Sequence, residues 1–73
     1  MEETEVFVTL TTRERYRPIH VLYENILYII QPSEEYKWCY VYLKGGGKPL
    51  CVDGDATYVT GSISRQIQAR REG

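Results

Sequence analysis

The segment Lys37-Trp38-Cys39-Tyr40-Val41-Tyr42-Leu43 constrains the fold more than any other stretch of this chain. Successive side chains of a strand point to opposite faces. A strand here therefore puts Cys39, Val41 and Leu43 on one side and Trp38, Tyr40 and Tyr42 on the other. Both sides are apolar or aromatic. A chain of 73 residues forms one small domain and buries only about 60% of its unfolded surface, so it lacks the material to cover both sides generously. One side belongs to the core, and the other needs a second cover.

The neighbouring segments supply the rest of the domain. Val6, Val8 and Leu10 alternate with Phe7, Thr9 and Thr11, the period of a half-buried strand. Arg17-Pro18-Ile19-His20-Val21-Leu22 reads as a second strand, with Pro18 at its start or on a free edge because proline has no N–H to donate. Tyr23-Glu24-Asn25 interrupts the pattern. Ile26-Leu27-Tyr28-Ile29-Ile30 is apolar on both faces, which places it centrally or under a second element or subunit. Gly45-Gly46-Gly47 makes a turn, and Pro49-Leu50-Cys51-Val52 returns as a fifth strand. Facing core residue to core residue sets Leu43 opposite Leu50 and Val41 opposite Val52, with Cys39 inside and Cys51 on the aromatic side. In the last segment Ala56, Val59, Ile63 and Ile67 form a helical stripe, with Asp53 or Asp55 as N-cap and Arg65, Arg70 and Arg71 toward the C-terminal end of the dipole. Val59, Gly61, Ile63, Arg65 and Ile67 also alternate as a strand would, but that strand would turn Arg65 inward, so the helix is preferred. The expectation is an α+β, mostly β domain over residues 1–73. Strands lie near 6–12, 17–22, 26–31, 37–43 and 49–52 in a curved antiparallel sheet or small open barrel, with a helix near 55–69.

Ile26 to Ile30, Cys39 to Leu43, the glycine turn, Cys51-Val52 and the stripe Ala56, Val59, Ile63 resemble two groups of small bacterial β-rich modules. One is the flagellar and swarming motility family called FlbD, and the other is the DNA-binding LytTR output domain. The resemblance spans roughly Thr9 to Ile67 and rests on hydrophobic spacing. It implies a strand, glycine turn, strand and short helix. It carries over no functional residue, because no polar motif is shared.

Composition excludes several function classes. Nine Lys+Arg against ten Asp+Glu give a net charge of −1, which does not fit a strongly basic nucleic-acid binder. No apolar run is long enough for a membrane span. His20 is the lone histidine, on a strand between Ile19 and Val21, with nothing to assemble a nucleophile and an orienting carboxylate around it. Cys39 and Cys51 stand alone without a Cys-x-x-Cys unit, so neither a metal nor a disulfide scaffold is expected; two free thiols fit a reducing, cytoplasmic setting. The glutamate pairs Glu2-Glu3 and Glu34-Glu35 read as solvated charge. Lys44 and Lys48 flank the three glycines and could hold an anion, although a strand rather than a helix follows and the P-loop spacing is missing. The arginines near the C-terminus could touch phosphate, but they stand beside Glu72 and suit a helix end. No cofactor and no catalysis are expected.

What remains is the row of rings. Seven Tyr, one Trp and one Phe make 12% of the chain aromatic, and three of them, Trp38, Tyr40 and Tyr42, share one face of the fourth strand. Trp38, Tyr40, Tyr42 and Tyr28 could pack under the helix, meet a protein, or stack on bases. The protein interface is the leading expectation, with self-association, because an uncovered second face of several hundred Å² would be unusually large for a soluble monomer, by the ~300–600 Å² common for the largest patch. The expected function is a small non-enzymatic regulatory or phage-type inhibitory adaptor. The alternative is a nucleotide or single-strand binder that stacks bases on those rings and holds phosphate with Lys44 and Lys48.

Overall fold

The computed structural model describes residues 5–72, with side chains through Arg70. The expectations for Glu2, Glu3 and the Arg71 side chain lie outside the described residues. Five antiparallel strands precede one helix: β1 Phe7–Thr11, β2 Pro18–Leu22, β3 Ile26–Ile30, β4 Trp38–Leu43, β5 Leu50–Asp53 and α1 Ala56–Glu72. The strands divide into two sheets, β1-β2 and β3-β4-β5, and do not close into a barrel. A single bridge, Thr12 to Val52, joins β1 to β5, and the Arg13 N–H donates to the Cys51 carbonyl at 3.0 Å.

The alternation read from β1 is real: Val8 and Leu10 are buried and Phe7, Thr9 and Thr11 are exposed. Pro18 opens β2 on the outside of its sheet, where its missing N–H costs no ladder bond. Tyr23–Asn25 forms one 3-10 turn that redirects the chain into β3. The helix reading of the last segment holds. Asp55 caps it, its carboxylate accepting the Tyr58 N–H at 2.8 Å. Val59 and Ile63 are buried and Ile67 packs beside them. Gly54, at φ +102, makes the sharp entry; a Cβ there would sit 2.5 Å from the Tyr58 ring.

Two expectations are corrected. The β4–β5 register is Cys39 opposite Val52 and Val41 opposite Leu50, two residues away from the expected Val41–Val52 and Leu43–Leu50 pairing. A slip of two leaves every side chain on its expected face. Pro49 has no N–H to extend the β5 ladder toward the loop, and Leu43 pairs across the opposite edge of β4 with Ile26 of β3. The glycine loop is correspondingly wide, with Gly45, Gly46 and Gly47 all at positive φ. The second correction removes one of the two readings of β3, the central one: it is an outer strand of its sheet.

The core gathers Val8, Leu10, Val21, Cys39, Val41, Val52, Val59 and Ile63. The helix leans toward β1. Its Gln66 side chain donates to the Thr9 carbonyl at 3.0 Å and accepts the Thr9 N–H at 2.7 Å, so one amide replaces a missing neighbouring strand. At the other end the Gln31 carbonyl oxygen accepts the Ala56 N–H at 3.0 Å. Its amide nitrogen donates to Ser33 O and Tyr36 O. Gln31 thereby ties the β3–β4 turn to the start of α1. Among the described residues no helix is long and apolar enough to cross a membrane.

Candidate interaction face

The three-stranded sheet divides its side chains as the alternation of β4 requires. Cys39 and Val41 point into the core, with Val52 beside them and Ile29 packed against the cluster. Trp38, Tyr40 and Tyr42 point the other way and are each half-buried. Cross-strand pairing brings Tyr28 opposite Tyr42 and Ile30 opposite Tyr40 on this outer side, and Cys51 opposite Tyr40 and Asp53 opposite Trp38.

The rings form two connected groups. Tyr28 and Tyr42 stack with centroids 4.7 Å apart and planes 18° apart. Tyr36 stacks on Trp38 at 4.8 Å and 14°, and Trp38 meets Tyr40 edge-on at 5.2 Å and 81°. These are the offset and T-shaped arrangements that ring quadrupoles favour. The Arg13 guanidinium lies 4.9 Å from the centre of the Trp38 ring, a cation–π contact. The rim stays open: Tyr28 is 51%, Ile30 43% and Tyr36 41% exposed.

The structure thus brings Trp38, Tyr40, Tyr42 and Tyr28 together on one side, turned away from the core that α1 covers. Lys44 and Lys48 do not join them as a ring contact; both are exposed in the glycine loop beyond the end of β4. That loop is open, since a Cβ added at any of its three glycines would meet nothing within 4 Å. It is anchored at one point, where the Lys44 N–H donates to Asn25 O at 2.8 Å.

Three members of the face escaped the sequence reading. Tyr36 lies just ahead of the expected strand at 37–43, yet it stands two residues before Trp38, the spacing that repeats one face of a strand. Ile30 follows from the same alternation in β3. Arg13 carries no local signal, because it arrives through the long-range pairing of Thr12 with Val52.

The other candidates are placed as follows. His20 is exposed, its Nδ1 3.0 Å from the Thr9 hydroxyl. Cys39 and Cys51 are free thiols, the first buried and the second half-buried. Burial pushes the Cys39 thiol up to about 11, with the nearby Cys51 and Asp55 charges adding to the effect. Such a thiol is a poor nucleophile near neutral pH. Among the described residues no three His, Cys, Asp or Glu side chains cluster to hold a metal ion. Beside the β3 edge a cleft of about 510 Å³ opens between Ile26, Leu27 and Ile29 on one wall and Thr60, Ile63 and Ser64 on the other. No protein-family model, characterised protein or solved structure matches this chain.

Proposed function

We propose that this chain is a small cytoplasmic interaction module that docks a partner protein on its outer aromatic face and has no catalytic role. One observation carries the reading: five rings and Ile30 share the side of the sheet that faces away from the helix, with the rim about half exposed. Tyr, Trp and Arg are the residues that dominate binding energy at protein interfaces, and a cluster surrounded by polar rim groups is how such centres are built. Arg13 and Asp53 supply that rim here. A regulatory adaptor needs no more than this.

Base stacking is the competing reading and is less favoured on geometry. Trp38 already carries Tyr36 stacked on it and Arg13 over its ring, and Tyr28 and Tyr42 already use a face on each other. A base would have to displace one of these groups, while a protein surface can cover the ribbon as it stands.

Capture from the native lysate, run in parallel on wild type, Tyr40→Ala and Tyr58→Ala, tests the reading. Tyr58 is 61% exposed on the helix and is not one of the stacked rings of the ribbon. A common protein should be retained by wild type and Tyr58→Ala and lost by Tyr40→Ala, and Trp38 fluorescence should stay flat on titration with nucleotides and short single strands. Equal capture by all three, or a saturable fluorescence response to nucleotide, overturns it.

A further inference from the structure

We infer that a second copy of this chain pairs with the open edge of β3 in antiparallel fashion, joining two three-stranded sheets into one of six. The inference rests on the interaction-module reading and gives its self-association the β3 edge, which adjoins the aromatic face and shares Tyr28 and Ile30 with it.

The first argument is the contrast among strand edges. β1 is closed by the Gln66 amide and by the bridge to β5. The outer strand β2 begins with Pro18 and carries His20, features that discourage edge-to-edge pairing. The outer strand β3 reads Ile26-Leu27-Tyr28-Ile29-Ile30, with no proline and no charge. Its one protective device is an irregularity between Ile26 and Tyr28, which leaves Tyr28 to Ile30 in regular register with β4.

The second argument is where the backbone groups point. The Gly54 N–H donates to Lys37 O at 2.8 Å, which makes Lys37–Gly54 a hydrogen-bonded pair of the β4–β5 ladder. Bonded pairs alternate in an antiparallel ladder. Cys39 and Val41 therefore bond β5, and Tyr40 and Tyr42 bond Ile30 and Tyr28 of β3. The N–H and C=O of Ile29 are left facing the open edge. A two-fold axis beside Ile29 lets two copies exchange both bonds there. Tyr28 then lies beside Ile30 of the partner subunit, and the two aromatic ribbons become continuous.

The third argument selects a second copy over a foreign strand. A strand paired with itself about a two-fold axis at Ile29 sets each residue beside the one equally far on the other side of the axis, and the same few residues recur in both copies, so like charges close to the axis would meet and repel. From Asn25 to Ser33 the chain has no Lys, Arg, Asp, Glu or His. The surface is also large enough to matter. Tyr23, Leu27, Tyr28 and Ile30 are 43–54% exposed. At ~200 Å² per large side chain, they supply about half of the ~800 Å² per partner found in standard interfaces. The cleft beside them supplies more. Its helix wall, Thr60 and Ser64 with Gly61 and Thr57 alongside, is low enough to admit the partner's Leu27.

Light scattering or sedimentation over a concentration series reads the result directly. Wild type should reach twice the 8.5 kDa chain mass. Leu27→Lys puts a charge on the edge, and Thr60→Arg fills the cleft from the helix side; each should return the single-chain mass with an unchanged circular dichroism spectrum. Trp38→Ala should keep the double mass, so loss of partner docking and loss of pairing remain distinguishable. In wild type the Ile29 amide should exchange more slowly as concentration rises. A single-chain mass for wild type up to millimolar concentration, or a double mass that survives both edge variants, overturns the inference; the former would leave the edge for a heterologous strand.

Discussion

The two faces of the β3-β4-β5 sheet are made from alternate residues of the same strands, yet they are built on different principles. Inward, Cys39, Val41 and Val52 are completely covered. They are small, and two of the three are β-branched, because β1 and α1 press against them at close-packed density and leave room for nothing larger. Outward, β4 carries Trp38, Tyr40 and Tyr42, large rings that contact one another and Tyr28 and Tyr36. Stacked rings shelter part of their own surface without any third element, so a face can be strongly apolar and still stay open. The inner face spends its apolar area on folding. The outer one retains its area for a partner.

The widest separation between the faces should appear in stability. Leu10 is 5% exposed within the core, and Leu10→Ala should cost about 2–5 kcal/mol through lost burial and an unfilled cavity. Tyr36→Ala removes one stacked ring that is 41% exposed and should cost only ~0.5–1.5 kcal/mol. Urea denaturation of both variants checks the difference. Equal losses would mean that the outer ribbon belongs to the core and would break the contrast.

The two thiols sharpen it further, since adjacent strands place Cys39 inside and Cys51 outside. A thiol reagent should label one cysteine per native chain, at Cys51, and both after denaturation. The pH dependence carries a definite sign. With a folded pKa of about 11 against an ordinary 9.0, the unfolded chain releases the Cys39 proton first as pH rises. Stability from this group is whole below pH 9 and declines between pH 9 and 11. Cys39→Val should remove that component of the alkaline loss. Rapid labelling of Cys39 in the native protein would contradict its enclosure.

Much of this division could be read from period-two alternation alone. Period two sets Val8, Leu10, Val41 and Val52 on the core side and Trp38, Tyr40 and Tyr42 on the opposite side, because alternation fixes faces without regard to partners, and so leaves open what covers the rings. It does not fix register. The two-residue slip of β4 against β5 keeps both faces intact, so no hydrophobic count could detect it. Strand order was equally hidden. The apolarity of Ile26 to Ile30 fits a central strand or an edge awaiting a cover, and only the placement of β1 beside β5 makes β3 an edge. Gln66 and Gln31 left no trace in the sequence, since a glutamine that completes a backbone ladder looks like any solvated one.

The smallest expected effect concerns the flank of α1 that faces the cleft rather than the core. Gly61 lies mid-helix, where glycine is about 0.8–1 kcal/mol worse than alanine. Its backbone needs no glycine, and an added Cβ would meet only Arg65 Nη1 at 3.3 Å, the mobile tip of a long side chain. Gly61→Ala should therefore raise stability by roughly 0.5–1 kcal/mol, visible as a higher urea midpoint at dilutions where chains are separate. The companion Gly54→Ala should do the reverse, because positive φ and the Tyr58 ring both oppose a side chain there. A loss of stability in Gly61→Ala would show this flank to be packed within the single chain, leaving the helix no open side and the β3 cleft no low wall.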